Sequence, residues 1–256
     1  MLVPYFDYHG QWHDLADTQR VAERSAARLA DTRAVALTNR LLGTALGRLG
    51  QSEQALAHLQ SALDQDAALG DSAGQAHAHR NIARIFELQG NYLQGLTHAE
   101  QALALFRDAN HALGEGRALN AVGWFHVQLG EVARGLDFCE RALELQLATG
   151  DRYGQAETLD SLGYAHHRLR HFTSGISALA SAIALYREFG DRYSEAYSLV
   201  HLGDTFRSSG DFESARDSWR EALSILRLLD HPDATSVHAK LEMLAAAEAD
   251  PTSLSG

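Results

Sequence analysis

Small and apolar positions recur along this chain every 40 residues. Ala62, Ala102, Ala142, Ala182 and Ala222 form one column. Gly43, Gly123, Gly163 and Gly203 form a second, with Ala83 in the gap, and Gly50, Gly90, Gly130 and Gly210 a third, with Arg170 as its exception. Aliphatic residues precede the second column (Leu42, Ile82, Val122, Leu162, Leu202) and follow the alanines (Leu63, Leu103, Leu143, Ile183, Leu223). Columns that keep step in this way mark a tandem repeat.

Within one unit, residues 151–169 and 172–189 carry apolar side chains at helical spacing around a break at Arg170 and His171, so the unit is a helical hairpin. Gly70-Asp71, Gly150-Asp151 and Gly190-Asp191 supply a left-handed helix end followed by an N-cap, and Asn110-His111 and Asp230-His231 fill the same slots. The Gly and Ala columns let paired backbones approach closely. A single hairpin cannot bury both of its faces, so neighbours must stack, and the expected fold is all-α: a right-handed superhelix with a concave inner face. The expected layout is an incomplete N-terminal repeat over 1–29, about five 40-residue repeats over 30–232, a capping helix over 233–250 and a disordered tail at 251–256. The capping helix is read from Val237, Leu241 and Leu244 on one stripe, with Lys240 and Glu242 off it.

Charge narrows the function. The chain has 22 Lys+Arg against 33 Asp+Glu, a net −11, which argues against direct nucleic-acid binding by this segment. No run approaches the roughly 18 apolar residues of a membrane span, and residues 1–10 lack the pattern of a signal peptide, so a cytoplasmic location and no membrane partner are expected. Fourteen histidines invite a metal reading, but neither His-Glu-x-x-His nor paired Cys-x-x-Cys occurs. His126 and His166 share a repeat slot with Phe86 and Phe206, which predicts ring packing. Cys139 shares one with Leu59, Leu179 and Trp219, which predicts a buried apolar role. Gly114-Glu115-Gly116 lacks the third glycine of a dinucleotide loop, and there is neither a Gly-x-Ser-x-Gly elbow nor a P-loop. No catalytic residue, metal or cofactor is expected, and the chain reads as non-enzymatic.

Leu162-Gly163, the rings Phe86 and Phe206, Gly50, Ala55 or Ala215, Leu59 or Trp219, and Ala62 together resemble the tetratricopeptide repeat (TPR) pattern over residues 30–240. The unit is 40 residues rather than 34, and a Gly-Asp turn replaces the closing proline, as in the TPRs of large bacterial regulators. The wording Leu119-Asn120-Ala121-Val122-Gly123-Trp124, Asp160-Ser161-Leu162-Gly163-Tyr164-Ala165-His166-His167, His201-Leu202-Gly203-Asp204-Thr205 and Leu229-Asp230-His231-Pro232-Asp233-Ala234 is similar to the C-terminal sensor region of AfsR-type actinobacterial antibiotic regulatory proteins. Members of that family (SARP) carry a winged-helix DNA-binding head, an activation domain and often an NB-ARC ATPase ahead of the TPRs. Gly10, Trp12 and Ala22 fall in step with Gly50, Ser52 and Ala62, so the chain is expected to be a domain excised from such a regulator.

By resemblance to TPR geometry, the slots at 37, 40, 41, 44, 47 and 48 and their 40-residue equivalents face the superhelix axis. They hold Arg40 and Arg48; His77, Arg80, Asn81 and Arg84; Arg117, Asn120 and Trp124; Asp160, Tyr164, His167 and Arg168; and Tyr197, His201, Asp204 and Arg207. A basic first half meets an aromatic middle. The plain alternative is a solvated face with local pairs such as Arg84 and Glu87. Arginine forks beside amides and rings suit a carboxylate or phosphate. The expectation is an interaction and sensor module that binds a protein or peptide segment, acidic or phosphorylated, or another domain of the parent regulator. In that setting it would control a DNA-binding head in antibiotic biosynthesis. Two other readings stand beside it: a receptor for a small molecule or signalling peptide, and a scaffold that self-associates as a homo-oligomer.

Overall fold

The computed structural model describes residues 10–249, so the expectations for residues 1–9 and for the tail at 251–256 lie outside the described residues. Twelve helices follow one another, with no strand among the described residues: α1 (Trp12–Arg28), α2 (Thr32–Arg48), α3 (Ser52–Ala68), α4 (Ser72–Leu88), α5 (Tyr92–Asp108), α6 (Ala112–Gln128), α7 (Val132–Thr149), α8 (Arg152–Arg168), α9 (Phe172–Phe189), α10 (Arg192–Ser209), α11 (Phe212–Leu228) and α12 (Asp233–Ala249). They form consecutive hairpins such as α2–α3, α4–α5 and α6–α7. The chain divides into two compact units, residues 11–158 and 159–249, and the division falls within α8.

The backbone repeats twice as often as the side chains. Left-handed residues sit at every twentieth position from 10 to 230, with φ between 50° and 91°. At each, the chain closes the helix below it, as where Gly50 N–H donates to Gly47 O (3.0 Å) and Gln51 N–H to Leu46 O (2.9 Å). Glycine fills eight of these positions. Asn110 and Asp230 tolerate the conformation through short polar side chains, whereas Ala30 and Arg170 adopt it against a preference of about 1–2 kcal/mol. Helix starts are fixed by the next residue along: Asp31, Asp71, Asp191 and Asp211 accept the amides of Ala34, Gly74, Ser194 and Ser214 at 2.8–3.0 Å. His111 does the same for Gly114 through Nδ1 at 2.9 Å.

The columns explain how the hairpins close. All five alanines from Ala62 to Ala222 are 0% exposed. A Cβ on Gly43 would lie 2.6 Å from Leu59 Cγ, on Gly163 2.4 Å from Leu179 Cγ, and on Gly203 2.4 Å from Trp219 Nε1. Where the repeat carries Ala83 instead of glycine, the facing slot shrinks to Ala99, and both are buried in one cluster with Leu103, Phe106 and Phe125. The close approach is kept by trading volume across the pair. Gly123 is the tightest case, because its Cβ would meet backbone: 2.8 Å from Gly135 O and 3.1 Å from Cys139 N, besides 2.5 Å from Cys139 Sγ. A leucine side chain can turn away; a backbone cannot. Gly123→Ala is therefore expected to destabilise by at least about 1 kcal/mol more than Gly43→Ala, despite the same gain in helix propensity. Equal denaturation midpoints for the two variants would contradict this.

Cys139 is 0% exposed, its thiol donates to Asn120 Oδ1 at 3.6 Å, and burial pushes it up from the ordinary thiol range. His126 is likewise buried, stacked on Phe138 with ring centres 5.5 Å apart, as its slot predicts. In the second unit, α12 packs on α11 and buries Val237 and Leu244. Lys240, off the apolar stripe, reaches α10, where its ammonium donates to both carboxylate oxygens of Asp204 at 2.7 and 2.9 Å.

Candidate binding face

In the first unit, α2, α4 and α6 pack side by side and carry the expected basic residues on neighbouring turns. Carboxylates of the chain itself meet most of them. Arg40 Nη1 donates to Asp66 Oδ2 at 2.5 Å, and burial raises the Asp66 carboxyl pKa, with Arg40 opposing. Arg84 donates to Glu87 Oε2 at 2.7 Å, while Glu87 Oε1 accepts the Trp124 indole N–H, also at 2.7 Å. Arg117 grips Asp151 with two bonds, Nε to Oδ2 at 2.6 Å and Nη2 to Oδ1 at 2.7 Å. Burial works to raise the Asp151 carboxyl, but Arg117 and the Gly154 amide outweigh it and hold it below the usual range. Asn81 Nδ2 donates to Thr44 Oγ1 at 2.9 Å and ties α4 to α2.

Arg80 differs from these. It is partly buried between His77, Arg117, Tyr153 and Glu157, and its Nε is covered without a hydrogen-bond partner. His77 packs edge-on against Phe106 at 4.9 Å; burial first, then Arg80, Arg40, His111 and Arg117, lowers its pKa to about 3. It is therefore a neutral ring at physiological pH, so the positive charge of this face is arginine alone. Trp124 is 8% exposed, which leaves only an edge of the ring at the surface.

In the second unit the chemistry is aromatic. Rings follow one another as His231, Tyr193, Tyr197, His201, Tyr164, His167 and Phe172, with successive centres 4.7, 6.5, 4.5, 4.8, 6.1 and 6.3 Å apart. Asp160 anchors the middle of this series: its Oδ1 accepts the Ser198 hydroxyl at 2.7 Å and lies 3.2 Å from His201 Nδ1. Burial lowers the His167 pKa, with Asp204 opposing.

Residues 32–108 match the tetratricopeptide repeat family model. No curated protein matches the chain by sequence. Among solved structures, apo RapI superposes with a TM-score of 0.70 at 14% identity, covering 88% of this chain and 81% of that one. A Rap protein complexed with Competence and Sporulation Factor gives 0.66 at 16% identity, covering 98% and 76%. A signal-transduction ATPase with a tetratricopeptide repeat sensor, from Pyrococcus horikoshii, gives 0.62 at 17% identity; the match covers 96% of this chain but 39% of that protein. At such identities the likeness is one of fold.

Of the residues expected on the binding face of these tetratricopeptide hairpins, Arg40, His77, Arg80, Asn81, Arg84, Arg117 and Trp124 gather on the first unit, and Asp160, Tyr164, His167, Tyr197 and His201 on the second. Asn120 receives the Cys139 thiol within the α6–α7 hairpin. Sequence reasoning missed Asp66 and Asp151, which come from a helix end and a turn outside the chosen slots. It also missed Tyr193, Ser198 and His231. Only the capping role of Asp151 left a trace in sequence, in its Gly-Asp turn. Among the described residues, no group of three or more His, Cys, Asp or Glu could hold a metal ion, and no helix is long and apolar enough to cross a membrane.

Proposed function

We propose that the chain is a non-enzymatic interaction and sensor domain whose first unit takes an acidic or phosphorylated protein segment on the α2–α4–α6 face. The observation that carries this reading is Arg80, a partly buried guanidinium whose Nε lacks a partner, on the same face as Arg84. A buried donor without a partner is a standing penalty that a bound carboxylate or phosphate removes. Arg84, 39% exposed, is the second cation within reach of solvent. Arg40 and Arg117 act differently: committed to Asp66 and Asp151, they position the helices on either side.

Binding of an acidic phosphopeptide pool to the whole chain tests the reading. Arg80→Met and Arg84→Glu should each weaken binding at least tenfold, since a charge-assisted hydrogen bond contributes roughly 1.5–3 kcal/mol, and both should flatten the salt dependence. Wild-type affinity in both variants would leave the face as a solvated surface. Trp124→Phe, which keeps the ring but deletes the indole donor to Glu87, should release Glu87 to compete for Arg84 and weaken binding less than either arginine change.

We further propose that this domain works inside a larger transcriptional regulator, where segment binding governs a DNA-binding head. The resemblance of units three to five to AfsR-type sensors supports this, as does the fold shared with a signalling ATPase that carries a repeat sensor. A reading frame that joins this chain to a winged-helix segment would agree. A DNA-binding head whose operator affinity ignores the bound peptide would sink the proposal.

A further inference from the structure

The second unit holds a pocket of ≈ 210 Å³ where α10, α11 and α12 meet. Its walls divide by chemistry. Val200, Leu226 and Val237 are aliphatic, Tyr193 and Tyr197 are aromatic, and Asp233 and Ser236 supply the polar atoms. The volume equals roughly seven water-sized volumes, which limits an occupant to a compact molecule of about ten non-hydrogen atoms.

The sign of charge follows from Asp233. Its carboxyl is held below the ordinary range, first by His231, with burial opposing and the Tyr193 hydroxyl assisting, so it is ionised near neutral pH. His231 Nδ1 lies 3.3 Å from both Asp233 Oδ2 and the Asp233 amide nitrogen. No Lys or Arg lines the pocket. The nearest lysine on α12, Lys240, has its ammonium on Asp204 of α10. The start of α12 brings the positive end of a helix dipole, but that is about half an elementary charge against the full charge of the carboxylate. The pocket is therefore net negative, in a chain of net charge −11 that draws cations towards it. Tyrosine faces favour the same sign, because their quadrupoles attract an ammonium.

A metal ion fits poorly here, since one carboxylate and one serine hydroxyl on an otherwise apolar wall do not replace a hydration shell. An anion is repelled, and a neutral apolar molecule leaves Asp233 without the charge that suits it. We propose that this pocket binds a compact organic cation: an ammonium on an aromatic or aliphatic body, with the charge beside Asp233 and the body against Val200, Leu226, Val237 and the tyrosine rings. The proposal is independent of the α2–α4–α6 face, which lies in the other unit.

The test is calorimetric titration of the whole chain with 2-phenylethylammonium, set against 2-phenylethanol and 3-phenylpropionate, which have nearly the same body but carry no charge and a negative charge. The expected result is saturable one-to-one binding of the ammonium, at least tenfold weaker binding of the alcohol, and none of the carboxylate. Asp233→Asn should weaken the ammonium at least tenfold and leave the alcohol unchanged; asparagine also suits a helix start, so α12 is preserved. Ser236→Phe, at an exposed position whose longer side chain would fill the pocket, should abolish binding of both. Equal affinity for ammonium and alcohol, undiminished binding in Asp233→Asn, or no saturable binding of the ammonium up to millimolar concentration would each overturn the proposal.

Discussion

Ala142→Glu should lower the thermal midpoint of this chain by about 10 °C or more, because it combines overpacking with an unpaired buried charge. Ala142 is 0% exposed and shares a cluster with Ala118, Leu119, Val122 and Phe125, all apolar. A glutamate there has no room to extend and no donor in that cluster to meet its charge. The combined penalty is of the order of 3–5 kcal/mol, among the largest that a single substitution produces. Glu140→Ala, two positions away on the exposed side of α7, serves as the control and should stay within about 0.5 kcal/mol of wild type. Comparable midpoints for the two variants, followed by circular dichroism, would mean that the repeat register is misassigned.

The second large effect belongs to Asp151, one side chain that performs two tasks. It caps α8 by accepting the Gly154 amide at 3.0 Å, and it pairs with Arg117 of α6 through two bonds. Asp151→Ala removes the cap, worth about 1 kcal/mol, and strands a guanidinium that is only 25% exposed, at roughly 3–5 kcal/mol for a buried pair broken from one side. Asp151→Asn keeps the capping oxygen and loses only the charge, so it should fall between alanine and wild type. Adding Arg117→Met to Asp151→Asn should recover most of the loss, since the unpaired charge leaves with it. A double variant no more stable than the single would assign the effect to the cap.

The same carboxylate shapes the response to acid. Its folded pKa lies below the unfolded value of about 3.9, so its stabilisation is fully present above that value and is lost as pH falls through the lower, folded one. Denaturation midpoints measured from pH 6 down to pH 2 should therefore fall less steeply in Asp151→Asn than in wild type. Parallel acid limbs would remove Asp151 from the account.

How far the fold was legible depended on what each residue must satisfy. The alanine column and the Leu and Ile positions beside it could be read directly, because burial at a helix contact selects size and apolarity whatever the partner. Gly70, Gly150 and Gly190 were equally open, since a left-handed helix end favours glycine. Arg170 and Ala30 broke that reading: both adopt the left-handed conformation because the turns on either side demand it every 20 residues. Ala83 looked like a gap in the glycine column. Its meaning came only with Ala99 opposite, the one partner small enough to let an alanine stand where the other hairpins need glycine.

The candidate sites divide in the same way. Arg80, Arg84, Arg117 and Trp124 could be assigned to one helical face by spacing alone, as could Tyr164, Tyr197 and His201. Their chemistry could not. Whether an arginine is available to a ligand depends on which carboxylate folds against it, and Asp66 and Asp151 lie 26 and 34 residues from the arginines they hold. The pocket at Asp233 depends likewise on α12 meeting α10 and α11 from another part of the chain. Sequence by itself determined the helices, their turns and their repeat, because local conformation and burial act on each residue separately. Tertiary structure decided charge pairing, ring stacking and cavity, because these are properties of pairs that only packing brings together.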